Sequence, residues 1–214
     1  MSGVWAVVPV KDFALAKQRL AAAYAPPLRR ALARAMLEDV LTALRAVEQL
    51  AGIVAVTADP EAALLAGKFG ARTLFEKQAC GLNAAVTLAA RNLAIEKRAG
   101  VLILPGDIPA VKPVEIAELL AAHREAPAIS LVAAHDGRGT NALLATPPCG
   151  MRFSYGEGSF AKHCAEARQM GIEPTIRHAP GIAFDVDAPG DIARLGHLSY
   201  RSSTRRLLED EGLL

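Results

Sequence analysis

Short runs of apolar residues recur along the chain, and each is followed by a stretch with helical periodicity. The runs are VWAVVPV, GIVAVT, VLILPGD and AISLVAA, at residues 4–10, 52–57, 101–107 and 128–134. Strands that are apolar on both faces belong in a parallel sheet that helices cover on both sides. The pattern therefore predicts an α/β protein with a mostly parallel central sheet.

Four helices are predicted around these strands. The first is amphipathic, with apolar residues every four positions from Leu28 to Leu44 and arginines, among them Arg29, elsewhere on the helical wheel. The others are predicted at about residues 82–98, 113–123 and 160–170. The order is βαβαβαβ with an insertion-like stretch at about 136–158, and the whole chain, 1–214, is predicted to form a single domain.

Composition and charge argue against several classes of partner. The chain is 52% hydrophobic, but it has no run of about 18 apolar residues that would cross a membrane. Its net charge of +2 gives no global positive field of the kind found in nucleic-acid binders. Its start, MSGVWAVVPVKDF, lacks the features of a signal peptide, so we expect a cytoplasmic protein. Cys80, Cys149 and Cys164 match neither a zinc spacing nor a disulfide framework.

Three cations follow the first predicted strand. The segment PVKDFALAKQRL carries Lys11, Lys17 and Arg19, at a place where a loop would pass over the phosphates of a ligand. Compact cations there suit a triphosphate, whose charge must be offset before an oxyanion can attack it. The solvated face of a short helix would explain Lys17 and Arg19 equally well. The segment is not a Walker loop, because Gly-Lys-Ser/Thr is missing.

Carboxylates mark two further segments. Asp107 ends the apolar run LILPGD, and Mg²⁺ takes one or two protein carboxylates together with water and phosphate oxygens. The segment FDVDAPGDI offers Asp185 and Asp187, which share one face if the segment is extended. Asp187 fits a helix N-cap equally well, and Asp191 fits a first-turn acid that favours the helix dipole.

Two glycine-bearing stretches combine small residues with hydrogen-bonding groups. In HDGRGTNALLATP, Thr140 and Asn141 precede an apolar strand and either approach a ligand or belong to an ordinary hairpin turn. In FSYGEGSFAKHC, Gly156 opens the backbone and Ser159 is predicted as the N-cap of a helix whose start would bind phosphate. A catalytic pair of Ser159 and His163 is the sharper alternative, but it lacks the nucleophile-elbow pattern and an acid to orient the histidine.

A third stretch, ACGLNAAVTLAARNL, opens a helix at Gly81, Leu82 and Asn83. This helix start could hold a base or ribose, with Asn83 as a hydrogen-bonding group. An ordinary helix start explains the same pattern equally well.

Six motifs in order resemble the CofC/FbiD family of phospholactate or phosphoenolpyruvate guanylyltransferases, which act in the biosynthesis of the deazaflavin coenzyme F-420. The motifs are PVKDFALAKQRLA, GLNAAV, LPGDIP, GTNALL, GEGSFAKH and FDVDAPGDI, and they cover nearly the whole chain. The resemblance implies a Rossmann-like, GT-A-like nucleotidyltransferase fold. It also implies transfer of GMP from GTP to the phosphate of a three-carbon phospho-acid, with release of pyrophosphate.

The resemblance further implies roles for individual residues. Those implied to contact the phospho-acid are Thr140, Gly156 and Ser159. Those implied to bind Mg²⁺ are Asp107, Asp187 and, as the weaker choice, Asp185. Those implied to face the triphosphate are Lys11, Lys17 and Arg19, and those implied to face the guanosine are Gly81, Leu82 and Asn83. The chain departs from the family pattern at Gly106, where alanine is common, and at Ala188, where threonine is frequent.

Two other functions are compatible with such a fold. Molybdenum-cofactor nucleotidyltransferases usually carry a glycine-rich loop with a basic residue after the first strand, whereas this chain has PVKDFALAKQRL. A non-catalytic nucleotide-sensing module is disfavoured by Asp107, Asp187 and the basic residues. The sequence leaves open whether the acceptor is 2-phospholactate, phosphoenolpyruvate or 3-phosphoglycerate, and whether the protein is a homodimer.

Overall fold

Seven strands form one sheet in the computed structural model, which describes residues 3–76, 81–196 and 202–214. Cys80 lies outside these residues. The strands are β1 (Val4–Pro9), β2 (Gly52–Thr57), β3 (Arg72–Phe75), β4 (Gly100–Ile103), β5 (Ala128–Ala133), β6 (Thr140–Thr146) and β7 (Thr175–Ile176).

Eight α-helices lie within the same described ranges. They are α1 (Pro26–Arg45), α2 (Pro60–Lys68), α3 (Leu82–Ile95), α4 (Pro113–Ala121), α5 (Ser159–Gln169), α6 (Pro180–Ala183), α7 (Pro189–Leu195) and α8 (Ser203–Asp210). No helix of the described residues is long and apolar enough to cross a membrane.

The strand order is β3-β2-β1-β4-β6-β5-β7. Neighbours are parallel from β3 to β4 and between β5 and β7, whereas β6 runs antiparallel to both β4 and β5. The predicted mostly parallel α/β sheet is therefore confirmed. The stretch that looked like an insertion supplies the reversed strand β6, whose first residues consequently lie at the same edge as the carboxyl ends of its neighbours.

A register shift marks the start of β6. Val132 pairs with Ala142, but the next residue of β5, Ala133, pairs with Thr140, so Asn141 is an extra residue on β6. Such a bulge re-aims side chains, and bulges are frequent next to active sites. Here Thr140 contacts α5 on one face of the sheet, and Asn141 contacts α6 on the other.

Two apolar layers cover the sheet, which explains why its central strands are apolar on both faces. Ala6 and Val8 of β1 pack with α1, α2 and α4, whereas Val7 packs with α3 and α5. Strand β4 is shorter than the apolar run that predicted it. It ends at Ile103, and Asp107 lies in the following turn.

A third, smaller cluster lies beneath the loops that follow β1 and α6. It joins Leu20, Phe184 and Val186 to α1, α7 and α8, with Leu208 as the contribution from α8. The cluster fixes two chain segments that are far apart in sequence, and each of them carries charged residues on its other side.

The sequence prediction for Arg29 is wrong. It was placed on the polar face of α1, but it is buried, and its Nη1 donates to the carbonyl of Ala16 at 3.2 Å. This bond satisfies only part of the guanidinium, because Nε is buried without a hydrogen-bond partner in the part of the chain that the structure describes. Arg29 thereby holds the loop after β1 at the residue that precedes Lys17.

Candidate active site

The loop after β1 is fixed at several points. Asp12 caps a short 3-10 turn by accepting from the N–H of Ala14 at 2.8 Å. Phe13 is buried and donates its N–H to Asp59 Oδ2 at 2.9 Å. Asp59 also caps α2, so one carboxylate joins the loop to the end of the neighbouring strand β2. The loop is consequently preorganised rather than a mobile tether for its cations.

Lys17 lies at the centre of a group of oxygen atoms. Its backbone is left-handed, with φ of 53°, and its side chain is only 6% exposed. Nζ donates to Asp107 Oδ2 at 2.6 Å, to the Val186 carbonyl at 2.5 Å and to Asp187 Oδ1 at 3.3 Å. The alternative that Lys17 belongs to a solvated helix face is therefore wrong.

Burial alone would lower the pKa of Lys17, but the two carboxylates outweigh it, and the pKa is raised above its ordinary value. The side chain is therefore an ammonium ion near neutral pH. A cation thus lies between Asp107 and Asp187, which is where the sequence predicted a metal.

Arg19 extends this charge cluster towards solvent. Its Nη1 bonds Asp187 Oδ2 at 2.9 Å, while its side chain is 80% exposed and able to move to a ligand. Lys11 is exposed on the same loop and makes no ion pair with the described residues. The three predicted cations therefore share one loop, but only Lys17 is held within the site.

Asp187 is not a helix cap. The N-cap residue of α7 is Ala188, and the capping carboxylate is that of Asp191, which accepts from the N–H groups of Asp187 at 3.0 Å and Ala188 at 2.8 Å. The prediction of Asp191 as a first-turn acid is confirmed. The Asp187 carboxylate is thereby left to the cations.

Asp185 has a different environment from Asp187. Its Oδ1 accepts from Asn141 Nδ2 at 3.0 Å and lies 3.2 Å from His135 Nδ1. Burial raises its pKa, and the nearby charges of Asp107 and Asp187 add to this. The two acids alternate with buried Phe184 and Val186, as expected for an extended segment. Asp185 is thus the less available of the two as a metal ligand.

The described residues contain no cluster of three or more His, Cys, Asp or Glu side chains arranged to bind a metal ion. Asp107 and Asp187, which share Lys17, offer two carboxylates. This donor set fits Mg²⁺, which takes one or two carboxylates and completes its shell with water and phosphate oxygens.

A second group of polar residues lies where β6 begins and α5 starts. Thr140 is the first residue of β6, and its Oγ1 lies 3.0 Å from His163 Nδ1. His163 Nε2 accepts the N–H of Ser154 at 2.9 Å. Both ring nitrogens of His163 are therefore occupied by groups other than Ser159, and the alternative of a Ser159–His163 catalytic pair has no support in the described contacts.

Ser159 begins α5 rather than capping it. The N-cap is Gly158, with φ of 64°, so the prediction of Ser159 as the N-cap is wrong by one residue. Ser159 is only 2% exposed, and its hydroxyl makes no hydrogen bond with the described residues. Gly156, with φ of 121°, shapes the preceding loop. The N–H groups of Ser159 and Phe160 already donate to the carbonyls of Gly156 at 3.1 Å and Arg138 at 3.0 Å. The features that suit an anion here are therefore the Ser159 hydroxyl and the positive end of the helix dipole.

The start of α3 is joined to this second group. Asn83 Oδ1 accepts the N–H of Tyr155 at 2.7 Å, and its Nδ2 donates to the Tyr155 carbonyl at 3.1 Å. Gly81 is the N-cap of α3, with φ of 89°, and Leu82 packs in the same apolar cluster as Tyr155. The structure thus gives Asn83 a role in fixing the loop before α5, and its contact with guanosine stays a prediction.

Two exposed side chains bridge the loops around this group. Arg138 Nη2 bonds Glu157 Oε1 at 2.9 Å, and the Arg138 carbonyl accepts the N–H of Phe160 at 3.0 Å. The turn before β6 and the loop before α5 are therefore held against each other.

Several residues that build the site were not identified from the sequence. Asp59 could have been, because an Asp directly before Pro60 is typical of an N-cap. Arg29 gave no usable sequence signal. His163 was singled out from the sequence, but its role was left open because its partners Thr140 and Ser154 come together with it only in the folded chain.

The fold is of the GT-A-like nucleotidyltransferase type. A protein of Desulfovibrio desulfuricans G20, provisionally classed as a nucleotide-diphospho-sugar transferase, superposes with a TM-score of 0.73 at 20% identity, covering 100% of this chain and 97% of its own. 4-Diphosphocytidyl-2C-methyl-D-erythritol synthase gives a TM-score of 0.66 at 13% identity, covering 92% and 98%. At these identities the likeness concerns the fold.

The chain belongs to the family described as guanylyl transferase CofC like, whose model matches residues 4–207. A phosphoenolpyruvate guanylyltransferase of Rubrobacter xylanophilus is 41% identical to it over an alignment of 206 residues, and the match covers 92% of this chain and 97% of that protein. The protein is accordingly a guanylyltransferase, as the resemblance of its six motifs predicted.

Proposed function

We propose that this guanylyltransferase transfers GMP from GTP to the phosphate of phosphoenolpyruvate and releases pyrophosphate. The observation that carries the proposal is the pair of carboxylates, Asp107 and Asp187, held around one buried cation at the edge of the sheet. The phosphoenolpyruvate guanylyltransferases that the chain resembles support the choice of acceptor. We further propose that the product enters coenzyme F-420 biosynthesis.

The acceptor itself supplies the nucleophile. A phosphate oxygen of phosphoenolpyruvate attacks the α-phosphorus of GTP, a new P–O bond forms, and the bond from the α-phosphorus to the bridging oxygen of the β-phosphate breaks. That oxygen takes the electron pair and leaves with pyrophosphate. No side-chain nucleophile is needed, so catalysis consists of positioning and charge stabilisation.

The residues after β1 would act on the triphosphate. Arg19 is exposed enough to swing from Asp187 to a phosphate, and Lys11 lies on the same loop. Lys17 would lie closest to the reacting groups, because its Nζ contacts both carboxylates. When bound at Asp107 and Asp187, Mg²⁺ would offset charge on the phosphates and hold them in line. Asp185 would remain bonded to Asn141.

The start of α5 would bind the phospho-acid. Ser159 offers a hydroxyl with no partner among the described residues, and the space beside the Gly156 backbone is empty. Thr140 belongs to the same group because its Oγ1 contacts His163, which lies on α5 with Ser159. The positive end of the α5 dipole would favour the acceptor's negative charge, whereas the N–H groups of Ser159 and Phe160 already donate to the carbonyls of Gly156 and Arg138. Guanosine is assigned to Gly81, Leu82 and Asn83, at the start of α3.

A pyrophosphate-release assay tests the proposal. The purified protein with GTP and Mg²⁺ is given phosphoenolpyruvate, 2-phospho-L-lactate or 3-phosphoglycerate in turn, with molybdopterin as a further acceptor. We expect the highest kcat/KM with phosphoenolpyruvate. A higher kcat/KM with another phospho-acid would identify that acid as the acceptor instead of phosphoenolpyruvate. Turnover with molybdopterin alone would show that the protein is a molybdenum-cofactor nucleotidyltransferase. GTP binding without turnover of any acceptor would indicate a sensing module.

A further inference from the structure

His163 holds a single protonation state in the described structure. The ring is fully buried, at 0% exposure. Its Nε2 accepts from the backbone N–H of Ser154, and a backbone amide can only donate. Nε2 therefore carries the lone pair. In a neutral imidazole the proton must then lie on Nδ1, which faces Thr140.

The ring stays neutral in the range where the enzyme would work. Burial lowers the pKa of His163 to about 4, and the charge of Lys162 contributes in the same direction. The ring of Tyr155 packs edge-on against the imidazole, with 4.8 Å between centroids, and restricts its rotation. The Nδ1–H tautomer is thus fixed by a backbone donor and by packing.

This tautomer decides which way the Thr140 hydroxyl bonds. Nδ1–H donates to Thr140 Oγ1 at 3.0 Å, so the hydroxyl proton of Thr140 must point elsewhere. The described residues offer no acceptor for it. Ser159 lies one turn from His163 on the same face of α5, so a second hydroxyl whose proton has no acceptor among the described residues is close by.

We propose that His163 is a positioning residue that makes Thr140 a fixed hydrogen-bond donor to an anionic oxygen of the phospho-acid. The opposite tautomer would draw the Thr140 proton to Nδ1 and turn the lone pairs of the hydroxyl towards the substrate, which would disfavour an anion. The inference rests on the proposed function, because it assigns the phospho-acid to this group of residues.

Two substitutions separate the two hydrogen bonds of the ring. His163→Asn can place an amide N–H near the position of Nδ1 and keep the bond to Thr140. His163→Gln can reach the position of Nε2 and keep the acceptor for Ser154, but it loses the donor to Thr140. We expect His163→Gln to raise KM for phosphoenolpyruvate by about 10- to 100-fold, as for loss of one hydrogen bond to a charged group. KM for GTP and kcat should change far less, and His163→Asn should be the milder variant.

A double-mutant cycle with Thr140→Val tests whether His163 acts through Thr140. Valine keeps the shape of the side chain and removes the hydroxyl. The double variant should then have the same KM for phosphoenolpyruvate as Thr140→Val alone. Additive increases in KM would overturn the proposal, and so would equal effects on KM for both substrates.

Nitrogen NMR of the ligand-free protein, labelled at histidine, reads the tautomer directly and needs no variant to fold. We expect a protonated Nδ1 and an unprotonated Nε2, and the reverse would overturn the inference. This measurement also distinguishes the two proposals. Wild-type protein that turns over no phosphoenolpyruvate contradicts the proposed function, whereas a protonated Nε2 in an active enzyme contradicts only the role of His163.

Discussion

The proposed chemistry depends on a small number of charged residues, so a change at one of them should have a large effect on catalysis. Asp107 and Asp187 are each partly exposed, and their shared partner is the buried ammonium of Lys17. Because Lys17 is buried, neutralising one of its carboxylate partners should lower the stability of the fold as well as weaken the proposed binding of the phosphates.

Asp107→Asn is expected to lower kcat by about 100-fold or more, because one of the two carboxylates proposed to hold Mg²⁺ becomes neutral. Steady-state pyrophosphate release measures the effect, and a thermal melt checks that the variant is folded. Asp210→Asn, at the exposed end of α8, is the matched control and should leave kcat unchanged. Near-normal turnover in folded Asp107→Asn would rule out this metal assignment.

His163 should also affect the pH dependence of stability. Its pKa is about 4 in the folded protein, against an ordinary value of 6.5. As the pH falls between these values the unfolded chain takes up the proton first, so the free energy of unfolding falls by up to about 1.4 kcal/mol per pH unit. Denaturant unfolding across this window should therefore show a shallower slope in His163→Asn than in the wild type.

The exposed His178→Asn provides the matched control for that slope. His123, whose pKa burial also lowers, contributes equally to all three proteins and cancels in the comparison. A slope identical in His163→Asn and the wild type would contradict the burial of a neutral ring at this position.

At the scale of elements, the loop after β1 depends on residues outside it. Asp59 connects the loop to α2 by accepting from Phe13 at 2.9 Å and from Glu61 at 2.8 Å, while Arg29 of α1 binds the Ala16 carbonyl. The position of Lys17 is therefore set by two neighbouring helices as much as by its own segment.

Asp59→Ala should lower stability by about 1 to 2 kcal/mol through loss of the α2 cap, and it should raise KM for GTP because the loop that carries Lys17 loosens. Ser202→Ala removes the cap of α8, where Ser202 Oγ accepts from the N–H of Arg205 at 2.9 Å, and is the control for stability. Thermal melts and KM for GTP are compared between the two. If both variants have the same KM for GTP, the bond from Phe13 to Asp59 does not affect GTP binding, and Asp59 contributes only to the stability of α2.

At the scale of the whole molecule, the site draws on segments that are distant in sequence. One group comes from the loops after β1, β4 and α6, and the other from the starts of β6 and α5. Ligand binding should therefore stabilise the whole fold rather than one segment.

GTP with Mg²⁺ is expected to raise the melting temperature by about 5 to 10 °C when GTP is about 100-fold above its Kd, for a domain of this size. Differential scanning fluorimetry with increasing GTP measures the shift. The shift should be much smaller in Asp107→Asn than in Asp210→Asn. An equal shift in both would place the nucleotide away from Asp107.

The sequence predicted the apolar strands well because burial on both faces leaves a continuous apolar run, as in β2 and β5. It missed short elements such as β3, which is four residues long and half exposed and therefore carries no clear periodicity. The motifs pointed to Lys17, Asp107 and Asp187, which the structure brings together, but they could not show that Lys17 is buried between the two carboxylates. That arrangement depends on Val186 and Asp107, which approach only in the folded chain.

The extra residue in β6 has a consequence for comparing relatives. Counted back from Ala142, strict alternation would turn Asn141 towards α5 and Thr140 towards α6, whereas the observed contacts are the other way round. Segment length, and not residue type alone, thus determines which of the two side chains faces α5, where we propose that the acceptor binds. A relative with one residue fewer at this point would need a different acceptor contact even if it kept both Thr and Asn, so a one-residue gap there should be treated as a change of specificity.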